Sequence, residues 1–107
     1  MQFDKDLASP HHALFLEVRD YLLSFEGMQE TKKTRITTYA HSTGNICHLR
    51  TMPNGVDLGF LKGSKMDDEL QLLTGNGKAI RVLSLKSMNK ATLQYYITQA
   101  IELNTNK

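Results

Sequence analysis

With 107 residues, 40% hydrophobic and 22% charged, the chain matches one folded domain rather than a disordered segment or a pair of ordinary domains. Thirteen basic residues against 11 acidic ones leave a net charge of +2, too balanced to single out nucleic acid or an acidic surface as partner. The lone Cys47 excludes an internal disulfide and a thiolate metal cluster, and points to a reducing, cytoplasmic compartment.

The first ten residues, MQFDKDLASP, include Asp4 and Asp6 and lack the apolar centre of a signal peptide. No apolar run approaches the ~20 residues of a membrane helix, so no membrane partner is expected. Ser9-Pro10 reads as a helix start, a capping hydroxyl followed by the residue suited to the first helical position. Leu14, Val18, Leu22 and Phe25 then define one apolar helix face, and Gly27 is the expected stop. Residues 34–39, rich in β-branched and aromatic side chains, predict a strand, and residues 41–45 a turn. Residues 46–52 and 56–61 predict two strands joined at Pro53-Asn54-Gly55 as a hairpin. Met66, Leu70 and Leu73 have helical spacing, so a short helical turn capped by Ser64 is expected. Residues 80–85 predict a fourth strand. Asn89 opens a last helix with Leu93, Tyr96, Ile97, Ala100 and Ile101 on its apolar face, and residues 104–107 read as a frayed polar tail.

This order predicts a two-layer α+β domain: an antiparallel sheet of about four strands, with N- and C-terminal helices packed on one face. A single domain spans residues 1–107, with an ordered core at about 10–103.

The stretch LLTGNGKAIR, residues 72–81, has the look of a phosphate cradle. A phosphate loop of the Walker type needs a glycine where Leu72 stands and a hydroxyl where Ala79 stands. A dinucleotide fingerprint needs a third glycine where Ile80 stands, and both motifs need a helix after the loop, where this sequence predicts a strand. Gly75 and Gly77 therefore read as a turn.

Gly55, Gly59-Phe60, Gly63, Met66-Asp67-Asp68, Leu72-Leu73-Thr74-Gly75-Asn76-Gly77-Lys78 and Arg81 together resemble the YdhG-like domain-of-unknown-function family of small bacterial proteins. The layout extends over about residues 10–103, and the specific part over 55–81. The chain departs from the family pattern in having no proline after the acidic turn and no Gly-x-Pro stretch at 37–41. The resemblance implies an α+β fold with an antiparallel sheet and supplies no catalytic set. Some relatives are described as frataxin-like iron chaperones, which implies iron delivery as one alternative function.

Asp67, Asp68 and Glu69 are the only tight carboxylate cluster and so the candidate iron ligands; adjacent acids diverge, which favours a solvated helix start. His11 and His12 point apart. Cys47 and His48 face opposite sides of a strand, and whether Ile46 or Leu49 is core decides which way each points. Lys78, Arg81 and Tyr39 are candidate contacts for a ligand, a partner or a structural anion; Arg81 paired with Asp67 or Asp68 is the favoured structural alternative. Scattered basic residues, including Arg35 and Arg50, permit weak nucleic-acid binding, which the scarcity of strand aromatics disfavours. No local spacing assembles a nucleophile, a base and an orienting group. The expected function is a non-catalytic binding or adaptor module for a protein or small molecule, without cofactor, as monomer or homodimer.

Overall fold

A polar side chain caps one of the two long helices, and another lies just ahead of the other. Asn89 Oδ1 accepts the Thr92 N–H at 3.1 Å and caps the C-terminal helix, α3, Lys90–Thr105. Ser9 Oγ accepts the His11 N–H at 3.0 Å, and the helix proper runs from His12 to Leu23, two residues later than the Ser-Pro signal places it. Ahead of it, Gln2–Leu7 form a short helix, so the two N-terminal helices are α1 and α2. The computed structural model describes residues 1–41 and 44–105.

The strands are β1 Met28–Lys32, β2 Thr37–His41, β3 Gly44–Met52, β4 Gly55–Phe60, β5 Leu73–Thr74 and β6 Arg81–Leu85, with a 3-10 turn at Gly63–Lys65. They form one open antiparallel sheet in the order β1-β2-β3-β4-β6-β5. The sheet therefore has six strands, not about four. The two strands absent from the sequence reading are its edges. β1, MQETK, buries one apolar residue, Met28, and β5 has two residues, so neither carries an apolar alternation. Charge and shortness are what keep an edge from pairing with another chain.

The hairpin at 46–61 is present: Met52 faces Gly55, and Pro53-Asn54 make a two-residue loop. The middle of the turn at 41–45, Ser42 and Thr43, lies outside the described residues. The helical turn expected at 66–73 does not form. Asp68 instead accepts the backbone N–H groups of Leu72 and Leu73 (3.0 and 3.3 Å), and Gln71 adopts a φ of +56°. A side chain that satisfies these donors competes directly with the helix. Nor does the chain fray at Asn104, which is buried and donates through Nδ2 to the carbonyls of His41 (2.9 Å) and Gly44 (3.1 Å). Asn106 and Lys107 lie outside the described residues.

Alternation sorts the sheet into two faces. Tyr39, Cys47, Leu49, Val56, Leu58, Phe60, Leu83 and Leu85 join one apolar cluster with Phe15, Val18 and Leu22 of α2 and Leu93, Tyr96 and Ile97 of α3. Phe3 of α1 completes it, edge-on to Phe15 with ring centroids 5.5 Å apart. All three helices thus cover the same face. Leu49 is core, so Cys47 points inward and His48 outward. Ile46 is buried too, because the β2–β3 register shifts between Tyr39 and Ala40.

Candidate functional site

The outward-facing residues form two cross-strand rows on the uncovered face. Thr38, His48, Gly59 and Val82 are consecutive partners across β2, β3, β4 and β6, with Thr38 at the buried end of the row, and Arg50, Asp57 and Ser84 make the next row. Gly59 has no side chain, and the gap opens a hollow of about 280 Å³ walled by Ile36, Met52, Ile80 and Val82, with Arg35, His48, Arg50 and Asp57 also lining it.

Nothing in the backbone calls for a glycine there. A β-carbon built on Gly59 would meet only Ile80 Cγ2, at the ordinary contact distance of 3.8 Å, and φ is not positive. A glycine inside a strand is destabilising by about 0.5–1 kcal/mol relative to alanine. Gly59 therefore weakens a central strand with no local return, which is how strand glycines behave where another molecule approaches closely. A neighbouring hollow of about 290 Å³, at residues 52–57 and 84–86, sets one cation, Lys86, against Asp57 and lacks such a vacant position.

Arg50 faces Asp57 in the register, yet among the described residues neither Arg50 nor Arg35 takes part in an ion pair or a side-chain hydrogen bond. Two guanidiniums and one carboxylate leave the hollow with one net positive charge. His48 is half-buried, and burial, then the charge of Lys33, hold it below the ordinary imidazole range. It is thus a neutral donor or acceptor at pH 7. The other histidines donate to backbone carbonyls: His11 to Pro53 (3.1 Å), His12 to Ser9 (2.9 Å) and His41 to Glu26 (2.8 Å).

The candidate contact residues Tyr39, Lys78 and Arg81 lie elsewhere. Tyr39 is fully buried on the helix side and donates to Glu30 Oε2 at 2.8 Å. Lys78 is exposed in the β5–β6 loop. Arg81 pairs with neither Asp67 nor Asp68; its Nη1 donates to the Gly77 and Ile80 carbonyls and closes that loop, where Gly75 takes a φ of +120°. No helix starts at Lys78, so the glycines serve a turn. The three candidates do not converge.

The acidic triplet is clamped against α3. Gln99 exchanges two hydrogen bonds with the Asp67 backbone, accepting from N–H at 2.8 Å and donating to C=O at 3.1 Å. The Glu69 N–H donates to Tyr95 Oη at 3.2 Å, and the Tyr96 hydroxyl donates to Asp68 Oδ1. Burial, then that bond, push the Tyr96 phenol up to about 12. Among the described residues no group of three or more His, Cys, Asp or Glu converges as a metal site. Asp68→Ala, which orphans three donors, is expected to lose about 2 kcal/mol in urea denaturation. Asp67→Ala, whose contacts come from the backbone, should stay within about 0.5 kcal/mol of wild type.

Arg35, Ile36, Gly59 and Ile80 escaped the sequence reading as a group. The one available signal was an isolated glycine between Leu58 and Phe60 inside a strand pattern. No family model, curated protein or solved structure matches the chain. No helix among the described residues is long and apolar enough to cross a membrane.

Proposed function

We propose that this chain is a non-catalytic binding module whose ligand occupies the hollow above Gly59. The observation that carries the reading is a strand glycine with no structural need, set between apolar walls and two uncommitted arginines. The one thiol offers no nucleophile at the surface: Cys47 is fully buried, and burial pushes it far above the ordinary thiol range. The YdhG-like resemblance belongs to the same proposal. Its motif residues support a structural use, since Gly63 packs on the Arg81 backbone, Asp68 ties down α3 and Arg81 closes the loop. A cytoplasmic location is proposed with it, on the strength of the single reduced cysteine.

The test is an amide-shift NMR titration of the full chain with mixtures of small organic acids, bases and neutral compounds. Shifts are expected at His48, Arg50, Gly59 and Val82, with Asp67 to Glu69 unmoved. Ligand-induced shifts confined to 67–69, or no shift with any class, would overturn the reading.

A further inference from the structure

We infer that the hollow above Gly59 takes a small organic monoanion, a single carboxylate carried on a branched or flat apolar body. This rests on the binding-module reading above and adds the chemical class.

Charge sets the head group. Arg35 and Arg50 offer planar guanidiniums, the donor geometry that matches a carboxylate two bonds at a time. Among the described residues neither is taken by another side chain, so a bound anion displaces no ion pair there. Asp57 lines the same hollow and repels a second negative charge, so one anionic group is balanced and two are not. Lys33 lies near enough to bear on His48 but does not line the hollow, and it adds a field of the same sign as the arginines.

The walls set the body. Ile36, Ile80 and Val82 close around the missing side chain, and Ile80 is 43% exposed. An apolar group seated over Gly59 would remove that surface from water. A volume of about 280 Å³ lies at the small end of ligand pockets. Stacked bases are a poor match, because the sheet's aromatics, Tyr39 and Phe60, are both fully buried on the helix side.

The experiment compares benzoate and 4-methylpentanoate with benzamide, 4-methylpentanamide and inorganic phosphate, by calorimetry and amide shifts on the full chain. The carboxylates are expected to bind about tenfold more tightly than their amides, and phosphate weakly. Arg35→Gln combined with Arg50→Gln should remove that preference. Gly59→Val should abolish binding of both while its melting temperature stays at or above that of wild type. If amides bind as tightly as carboxylates, and Gly59→Val blocks both, the hollow stands and the monoanion assignment falls. Phosphate binding that matches the carboxylates would overturn the assignment in the same way. If a folded Gly59→Val variant binds like wild type, the site and the assignment both fall. So do they if no carboxylate of the panel shifts these amides at millimolar concentration.

Discussion

Gly55→Ala is expected to lose about 3–5 kcal/mol in urea denaturation, and Gly63→Ala about 2–3 kcal/mol, whereas Gly59→Val should gain up to about 1 kcal/mol. The three glycines recur at every fourth residue around β4, and their surroundings decide the sign. A β-carbon on Gly55 would be driven into the carbonyl oxygen of Leu85, and its φ of +153° is one that residues with side chains rarely adopt. A β-carbon on Gly63 would lie 2.6 Å from the backbone nitrogen of Arg81, where the 3-10 turn docks on the start of β6. Backbone yields far less readily than a side-chain tip, so both losses reflect separation of β4 and its continuation from β6. A β-carbon on Gly59 meets only Ile80 Cγ2, at an ordinary 3.8 Å, so a β-branched residue can be accommodated in this central strand. A Gly55→Ala variant within about 1 kcal/mol of wild type would show that β4 and β6 do not meet as described.

Arg19→Met is expected to lose about 3–4 kcal/mol at neutral pH, the second large effect. Arg19 holds Glu30 with two hydrogen bonds, Nε to Oε2 at 2.6 Å and Nη2 to Oε1 at 2.9 Å, with side-chain exposures of 24% and 11%. Phe3 packs against two cations, with the Arg19 guanidinium 5.3 Å and the Lys32 ammonium 4.0 Å from its ring centroid. The network therefore pins α1 and α2 to the β1 edge. Burial pushes the Glu30 carboxyl up, but the hydrogen bonds from Arg19 and Tyr39 outweigh it and leave the group below its ordinary value. A carboxylate depressed in the folded state stabilises above its unfolded pKa, about 4.3, and that contribution is lost as pH falls through the folded value. In the variant, burial acts on Glu30 without the guanidinium. The gap between variant and wild type should be widest near pH 7 and narrow below about pH 4. Arg19→Met combined with Glu30→Gln should recover part of the loss, because no uncompensated buried charge remains and the new amide oxygen still accepts from the Tyr39 hydroxyl. A loss equal at pH 3 and pH 7, with no recovery in the double variant, would contradict this account.

Features legible along the chain were those whose physics is local. The Asn89 cap reaches Thr92, three residues on, and the Pro53-Asn54-Gly55 hairpin closes within its own loop. The apolar face of α2 follows from a helical period in Leu14, Val18 and Leu22, and a balanced charge with one cysteine is composition alone. The α+β class and the antiparallel sheet rest on the order of such elements and on one short connection between strands.

What the local pattern left open depends on partners far away in the chain. The 66–73 segment has helical spacing, but Tyr96 and Gln99, about thirty residues on, hold its turn in another shape. β1 and β5 exist because β2 and β6 offer them hydrogen bonds, and an edge strand needs no apolar alternation of its own. The candidate site is the furthest from local reading. Arg35 and Ile36 precede β2, while His48, Gly59 and Ile80 come from or beside β3, β4 and β6, and sheet register alone sets them side by side. That this face stays open follows from where three helices bury their apolar stripes, a choice made by packing across the whole core and written in no single segment.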